Sequence, residues 1–488
     1  MRAERPLRRS YDPAVTNRKR SNPLILATCC LSLFIVTLDA TVVNVALPTL
    51  GKELGASVSG LQWTLDAYTL TLASLLVLAG SSGDRFGRRR VFRIGLVVFG
   101  LGSLASSLAP SVGVLIAARV LQAVGGSMLN PVSLSIITNA YTDKAARARA
   151  LGVWGAVSGV SLGFGPLVGG LLVESIGWRS IFWVNVPIVV AALILTAVFV
   201  PESKAEHRRR FDPAGQALII VGLAGLVFAI IEGPGLGWAS PATIAAFVVA
   251  GAELVAFVPV ELRRRDPLID PRFFSSIPFS GAFAAALLAF GGWSAFLFTN
   301  TLVLQSVRGF SPIVTGLLFM PAGLAILVLS PVSGRLVGSR GTRLPMTLSG
   351  ALLAIGSAAL AFTTATTPIA LVAVLFLVFG AGFGLVNAPI TNTAVGGMPN
   401  EQAGAASAVA STARQIGVAL GIALAGSITG ASTGGKVSKS FVTDARPLWW
   451  IVVGVGIVLI AIAQISNSAP AERSSERLGP MLQDAARA

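Results

Sequence analysis

GSSGDRFGRRRVFR, residues 80–93, sets one acid, five arginines and three glycines between two long apolar stretches. Such a cluster is costly within a bilayer and belongs at its surface. Glycine lets backbones approach, and Asp84 can pair with neighbouring guanidiniums, so Gly83, Asp84, Arg85, Gly87 and Arg88 read as a tight turn between two spanning segments. Two readings of that turn stand open: a basic loop that only orients the chain, or a moving part.

The surrounding composition fixes the class. The 488 residues are 54% hydrophobic and 12% charged, with a mean hydropathy of +0.78, outside the range of soluble globular proteins. A hydrocarbon core is crossed by about 20 apolar residues, and runs of that kind fill the chain from Leu24 to Ile465. Fourteen spans are expected, near 24–48, 60–80, 91–109, 112–133, 150–171, 179–200, 213–232, 241–260, 279–303, 311–331, 345–364, 367–390, 403–427 and 447–466.

Cytoplasmic loops hold an excess of Lys and Arg. With the N-terminus inside, 29 of the 37 basic residues fall in cytoplasmic segments and 6 outside, while Arg119 and Arg414 lie within spans. Both termini are therefore expected in the cytoplasm of a multi-pass cell-membrane protein. The net charge of +16 reports orientation beside anionic lipid rather than nucleic-acid binding. The basic opening, MRAERPLRRSYDPAVTNRKRSNP, precedes a run of spanning length without a small-residue cleavage pattern, so it reads as a tail and first span, not a signal peptide. Cys29 and Cys30 are adjacent within that span and read as small packing residues. His207, the only histidine, reads as a solvated loop residue.

A repeat divides the chain. Gly80 and Gly87 have counterparts in Gly334 and Gly341, each pair ending a span and opening a basic loop; Gly125–Asn130 echoes Gly382–Asn387. The second copy lacks the acid, with Gly338 standing where Asp84 would be. The expected fold is an all-α membrane protein of two six-helix bundles with two additional transmembrane helices between them. The divisions are a tail at 1–23, an N-terminal bundle at 24–200, the two extra helices with their loops at 201–278, a C-terminal bundle at 279–466 and a tail at 467–488. Halves of this kind rock about a site near the midplane.

Ionisable groups deep in a membrane are rare unless they face a cavity or a partner. Asp39 lies about 15 residues into the first span, roughly 22 Å along a helix at 1.5 Å per residue. An acid at that depth reads either as a reversible proton carrier or as a permanently paired structural carboxylate. Asp66, between Trp63 and Tyr68, could attract a cationic ligand or hydrogen-bond across helices. Glu253 and Glu232 read as local structure. Arg119 and Arg414 each need an acid, a carbonyl or water. Arg119 is the preferred partner in proton exchange, biasing a nearby carboxylate because it cannot itself deprotonate. The fifth span contains GVSLGFGPLVGG, with Gly159/Gly163 and Gly165/Gly169 each four apart around Pro166. Small residues at that spacing allow backbone contact between helices, and the proline favours a bend.

These motifs carry a definite resemblance. The chain resembles the major facilitator superfamily, specifically the fourteen-spanner drug:proton antiporter family. GSSGDRFGRRR resembles the loop between the second and third helices, RVLQAVGG from Arg119 the fourth-helix motif with Ala123 where glycine is usual, and GFGPLVGG the fifth-helix antiporter motif of exporters. LDATVVNVALP at 38–48, SIGWRSIFWVNVP at 175–187 and AGAASAVASTARQIGVALG at 403–421 complete an ordered match over most of the chain. The resemblance implies alternating access driven by the proton gradient, with proton coupling at Asp39 and Arg119, locking at Asp84, Arg85 and Arg88, and a bend at Gly165, Pro166 and Gly169. It adds Asp66 to the proton-coupling set as an acid found only in some members, often those exporting cations, where it binds either a proton or a cation.

The expected function is proton-coupled export of small amphipathic molecules, cationic ones if Asp66 receives them, by a monomer that uses the proton gradient and no cofactor. Trp63, Tyr68, Gln122, Trp293, Asn300, Asn387, Arg414 and Gln415 are the expected cavity residues. Nutrient uptake coupled to protons and a non-transporting receptor are the alternatives. An enzyme is disfavoured: the chain has no phosphate-cradling GxxxxGK[ST] loop and no acid cluster at metal-ligand spacing.

Overall fold

The protein is described by a computed structural model over residues 13–204, 212–264, 267–396, 398, 402–429 and 440–487, and no strand occurs among them. His207 lies outside the described residues. Among the described residues, fourteen helical segments are long and apolar enough to cross a membrane. Several outrun their apolar runs, because their polar ends continue the helix beyond the hydrocarbon layer: the span expected at 60–80 is a helix over Val58–Phe86, and that at 112–133 a helix over Val112–Ala140.

The first bundle comprises α1 (Pro13–Leu54), α2 (Val58–Phe86), α3 (Arg88–Ser107), α4 (Val112–Ala140), α5 (Lys144–Ser175), and a sixth span built from a short α6 (Ser180–Trp183) continued by α7 (Asn185–Phe199). Side chains at helix starts satisfy backbone donors that would otherwise be orphaned in an apolar setting. Ser57 accepts from Gly60 N, Ser111 from Val114 N and Asp143 from Ala146 N. The hairpin α8 (Pro213–Leu236) and α9 (Pro241–Leu262) follows, with caps at Asp212 and Ser240 and a proline in the first turn of each. The second bundle comprises α10 (Ile277–Leu302), α11 (Pro312–Arg340), α12 (Arg343–Ala361), α13 (Ile369–Gly396), α14 (Ala403–Ile428), a short α15 (Phe441–Asp444) and α16 (Arg446–Ile465).

Each bundle has its own core. Phe92, Phe99 and Leu129 centre the first, and Phe296, Phe319, Phe376 and Phe379 the second. A third cluster joins them: Leu38, Val42, Leu47 and Leu61 pack with Phe298, Leu302, Ile422 and Leu448. The inserted α8 straddles the seam, burying Val227 and Ile231 against Leu70 of α2 and Ala419 and Ala423 of α14. Its companion α9 packs on α8 and exposes Val248, Leu254, Val255 and Val258, a face suited to lipid.

The stretch after residue 466, expected as a tail, contains a helix, α17 (Ala469–Arg487). Its Ala471 and Leu478 are fully buried, and Ser474 accepts from Ile277 N at the start of α10. Serines and charges dominate its sequence, so only every third or fourth residue carries the packing signal.

Candidate functional site: a buried charge network beside an open cavity

α1, α3, α4 and α7 converge on Asp39. This carboxylate is 1% exposed and Arg119 0%. Oδ2 pairs with Arg119 Nη1. Oδ1 accepts from Gln122 Nε2 at 2.8 Å and from Asn185 Nδ2 at 3.1 Å. Both amides also donate to Ser103 Oγ, at 3.2 and 3.0 Å, and Ser103 donates to Phe182 O at 2.9 Å. Arg119 spends its other donors on Gln122 Oε1 at 2.8 Å and Thr64 O at 3.2 Å, and its guanidinium lies 4.0 Å from the Tyr68 ring centroid. The network is neutral as a whole, which is how a bilayer tolerates two ions. α3 and α4 come close enough for it because Gly102 has no side chain: a Cβ there would collide with the backbone of Gln122.

A cavity of about 1010 Å³ lies between the bundles. Its rim carries Gly80, Ser81 and Asp84 from the end of α2, Ala403 and Gly404 from the start of α14, and Asp212 from the start of α8, so it opens on the face that bears the α2–α3 turn. Its deep end reaches Asn44, Leu65, Arg119 and Ile422. Arg119 and Tyr68 line the cavity and Asp39 does not, so the carboxylate meets the open space through its bonded arginine.

Beyond the deep end the bundles are sealed. Gln62 Nε2 donates to Ile422 O and Ala423 O, both at 3.0 Å, Gln305 Nε2 donates to Val45 O at 2.9 Å, and Glu174 accepts from Ile313 N at 2.9 Å. The fifth-span glycines form much of this seal. A Cβ on Gly163 would sit 2.9 Å from Gly323 O of α11, and one on Gly316 would sit 2.5 Å from Pro166 O. Gly165 and Gly169 face α1 at Thr41 and Val42. Gly159 is different: nothing lies within 4 Å of its Cβ position, so three of the four spaced glycines make close contacts and the fourth does not.

The α2–α3 turn is shorter than its sequence implies. Gly83, Asp84 and Arg85 remain helical, and Gly87 alone, at φ +112°, makes the break. Arg88 donates to Asp84 Oδ1 through Nη2 at 2.8 Å and Nε at 3.1 Å, a local pair across the break rather than a bridge between bundles. Glu202, which sequence reading missed, docks the turn: its carboxylate accepts from Arg89 N and Arg90 N at 3.1 and 3.2 Å, while Arg88 N donates to Ser203 O. Glu202 lies 113 residues from Arg89, so only the folded chain brings its carboxylate to this helix start, where an anion is favoured. In the second copy, Gly334, Gly338 and Gly341 have nothing within 4 Å of their Cβ positions.

Of the expected cavity residues, Tyr68, Trp293, Asn387, Arg414 and Gln415 line the space. Three do not. Trp63 turns to the inserted hairpin and donates to Glu232 Oε1 at 2.7 Å, Gln122 is committed to Asp39, and Asn300 donates to its own helix at Phe296 O. Helix phase placed these three on the inner side of their bundles but could not separate a cavity wall from a seam. Asp66 also stays off the cavity wall. It is 0% exposed; Thr69 Oγ1 lies 3.5 Å from Oδ1, and Oδ2 has no hydrogen-bond partner. Gln62, Asp66 and Leu70 follow one another at four-residue spacing along the α2 face that meets α14. Asn185, Ser103 and Gln62 were not anticipated; Asn185 sits in the SIGWRSIFWVNVP motif, the one signal that could have found it.

The description Major Facilitator Superfamily matches residues 29–422. The multidrug resistance protein Stp of Mycobacterium tuberculosis (strain CDC 1551 / Oshkosh) is 39% identical over 398 residues, covering 82% of this chain and 74% of Stp. The puromycin resistance protein pur8 of Streptomyces alboniger is 38% identical, covering 78% and 77%. A crystal structure of a bacterial homologue of the human lysosomal transporter Spinster, inward-facing and unoccupied, superposes with a TM-score of 0.62 at 19% identity, covering 94% of this chain and 98% of that one, a likeness of fold. The chain belongs to the Major Facilitator Superfamily, in its fourteen-spanner drug:proton antiporter family.

Proposed function

We propose that the chain is a proton-coupled exporter of small amphipathic molecules, a transporter and not an enzyme, working by alternating access. One observation carries the coupling: a buried Asp39–Arg119 pair whose arginine, with Tyr68 against it, lines a large cavity. A proton reaching Asp39 cancels the negative member of the pair and leaves Arg119 without its counter-ion, so the guanidinium gains reason to turn toward the cavity or its contents. Substrate and proton then compete through one arginine, which links their flows.

In this reading the cavity opens to the cytoplasm, both termini are cytoplasmic, and the bundles at 24–200 and 279–466 rock about the glycine seam between α5 and α11. The segment 201–278 holds them from the lipid side. The chain works as a monomer, without a cofactor, on the energy of the proton gradient. Asp66 acts in the α2–α14 gate. Names of the relatives that speak of drug resistance agree with export as the direction. Everted vesicles test the proposal: dye accumulation is expected on energisation and its release on adding a protonophore. Accumulation indifferent to the protonophore contradicts proton coupling.

A further inference from the structure

Among the described residues, four charged side chains line the cavity: Asp84, Arg119, Asp212 and Arg414. Three of them have an opposite charge at hand. Asp84 pairs with Arg88 at 2.8 Å, Arg119 with Asp39, and Asp212 with Arg264 at 3.6 Å. Among the described residues, Arg414 has no carboxylate within ion-pair distance. Its Nη2 donates to Thr391 Oγ1 at 2.6 Å and its Nη1 to Ser411 Oγ at 3.3 Å, whereas Nε is buried with no partner. Hydroxyls satisfy donors but cancel no charge.

A guanidinium is always charged and offers a planar fork that matches a carboxylate. Left without a counter-ion between two membrane bundles, it is costly, and such residues mark ligand pathways. Beside it stands an aromatic wall. Phe290 lies 5.7 Å from the guanidinium carbon, edge-on to Phe383 at 5.0 Å, and Phe383 stacks on Trp293 at 4.6 Å and 13°. Phe290 and Trp293 both face the cavity. The acid that would favour a cation, Asp66, is absent from the wall.

We propose that Arg414 receives an anionic group of the substrate, a carboxylate, phenolate or sulfonate, while the aromatic body of the same molecule lies on the Phe290–Trp293 wall. This rests on the cavity being the transport site and names the substrate class: amphipathic aromatic anions. Export of such compounds while protons enter moves negative charge out and positive charge in, so the membrane potential as well as the pH gradient drives it.

Fluorescence titration of the purified protein in nanodiscs tests this without any gradient. The probes are dansylglycine, its neutral amide and the cationic dansylcadaverine, which share one ring system. The wild type is expected to bind dansylglycine at least about tenfold more tightly than the other two, as a charge-assisted fork requires. Arg414→Gln should remove that preference, and Arg414→Lys should keep part of it, which separates lost charge from lost folding. Equal affinities, no binding of dansylglycine, or a preference that survives Arg414→Gln overturns the proposal. Gradient-driven dye transport is measured separately, so its failure alongside an intact Arg414-dependent preference would count against the exporter reading and not against this one.

Discussion

Asn185 and Asp39, 146 residues apart, meet at 3.1 Å, and the amide donates to the carboxylate oxygen that Arg119 leaves free. The bond ties the start of α7 to the middle of α1, so the carboxylate proposed to carry the proton is held by the sixth span as well as by the fourth. A hydrogen bond to a charged group contributes about 1.5–3 kcal/mol. Asn185→Leu is therefore expected to lower the initial rate of transport in vesicles by about tenfold or more at equal protein, since about 1.4 kcal/mol is tenfold. A rate within a factor of two of wild type, by about the same scale, would remove Asn185 from the network.

The seam between α5 and α11 depends on missing side chains. Gly163→Leu must push Gly323 away, because even a Cβ would lie 2.9 Å from its carbonyl oxygen. The expected result is a chain biased away from the sealed state. A cysteine at the buried seam position Leu302, in a background with Cys29 and Cys30 replaced by Ser, should then react with a membrane-impermeant maleimide several-fold faster. Gly159→Ala is the control, since nothing lies within 4 Å of that position. It should leave both labelling and transport unchanged.

The α2–α3 turn separates stability from transport. Arg88 and Asp84 form a partly exposed pair of the kind worth about 0.2–1 kcal/mol, and Glu202 at the start of α3 adds about 0.3–1 kcal/mol. Asp84→Asn and Glu202→Gln should each shift thermal unfolding only slightly, yet Asp84→Asn should lower transport while Gly338→Asp does little. Equal transport by wild type and Asp84→Asn would reduce the loop to an orientation signal.

The inserted hairpin has its own tight point. Glu261 and Asp212 each turn a buried oxygen against Gly215, where a Cβ would collide with Glu261 Oε1 and sit 2.9 Å from Asp212 Oδ2. Gly215→Val is expected to destabilise by about 1–3 kcal/mol, the cost of overpacking. An unchanged melting temperature in detergent would show that the α8–α9 junction can rearrange freely.

Much of the fold is legible in the sequence. Apolar runs of spanning length give the helices directly, because a bilayer admits few alternatives, and Asp39 and Arg119 announced themselves as charges where charges are costly. The partners of that pair were not legible. Ser103 and Asn185 are common residues in apolar helices, and only tertiary packing makes them ligands of a carboxylate. Trp63 and Asn300 misled for the converse reason: a polar or aromatic residue on an inner helix face can serve a seam as well as a cavity. Glycine spacing predicted close contact in the fifth span but not which neighbour each glycine meets, since α1 and α11 approach the same helix from different sides.

In the proposed mechanism Asp39 carries the proton whose movement drives export. Proteoliposomes with an internal pH dye and a preloaded fluorescent substrate test it most directly, comparing wild type with Asp39→Asn. An imposed proton gradient is expected to drive substrate movement and opposite proton flux in the wild type, and Asp39→Asn to abolish both while retaining binding of substrate. Proton flux coupled to substrate movement that persists in Asp39→Asn would contradict it.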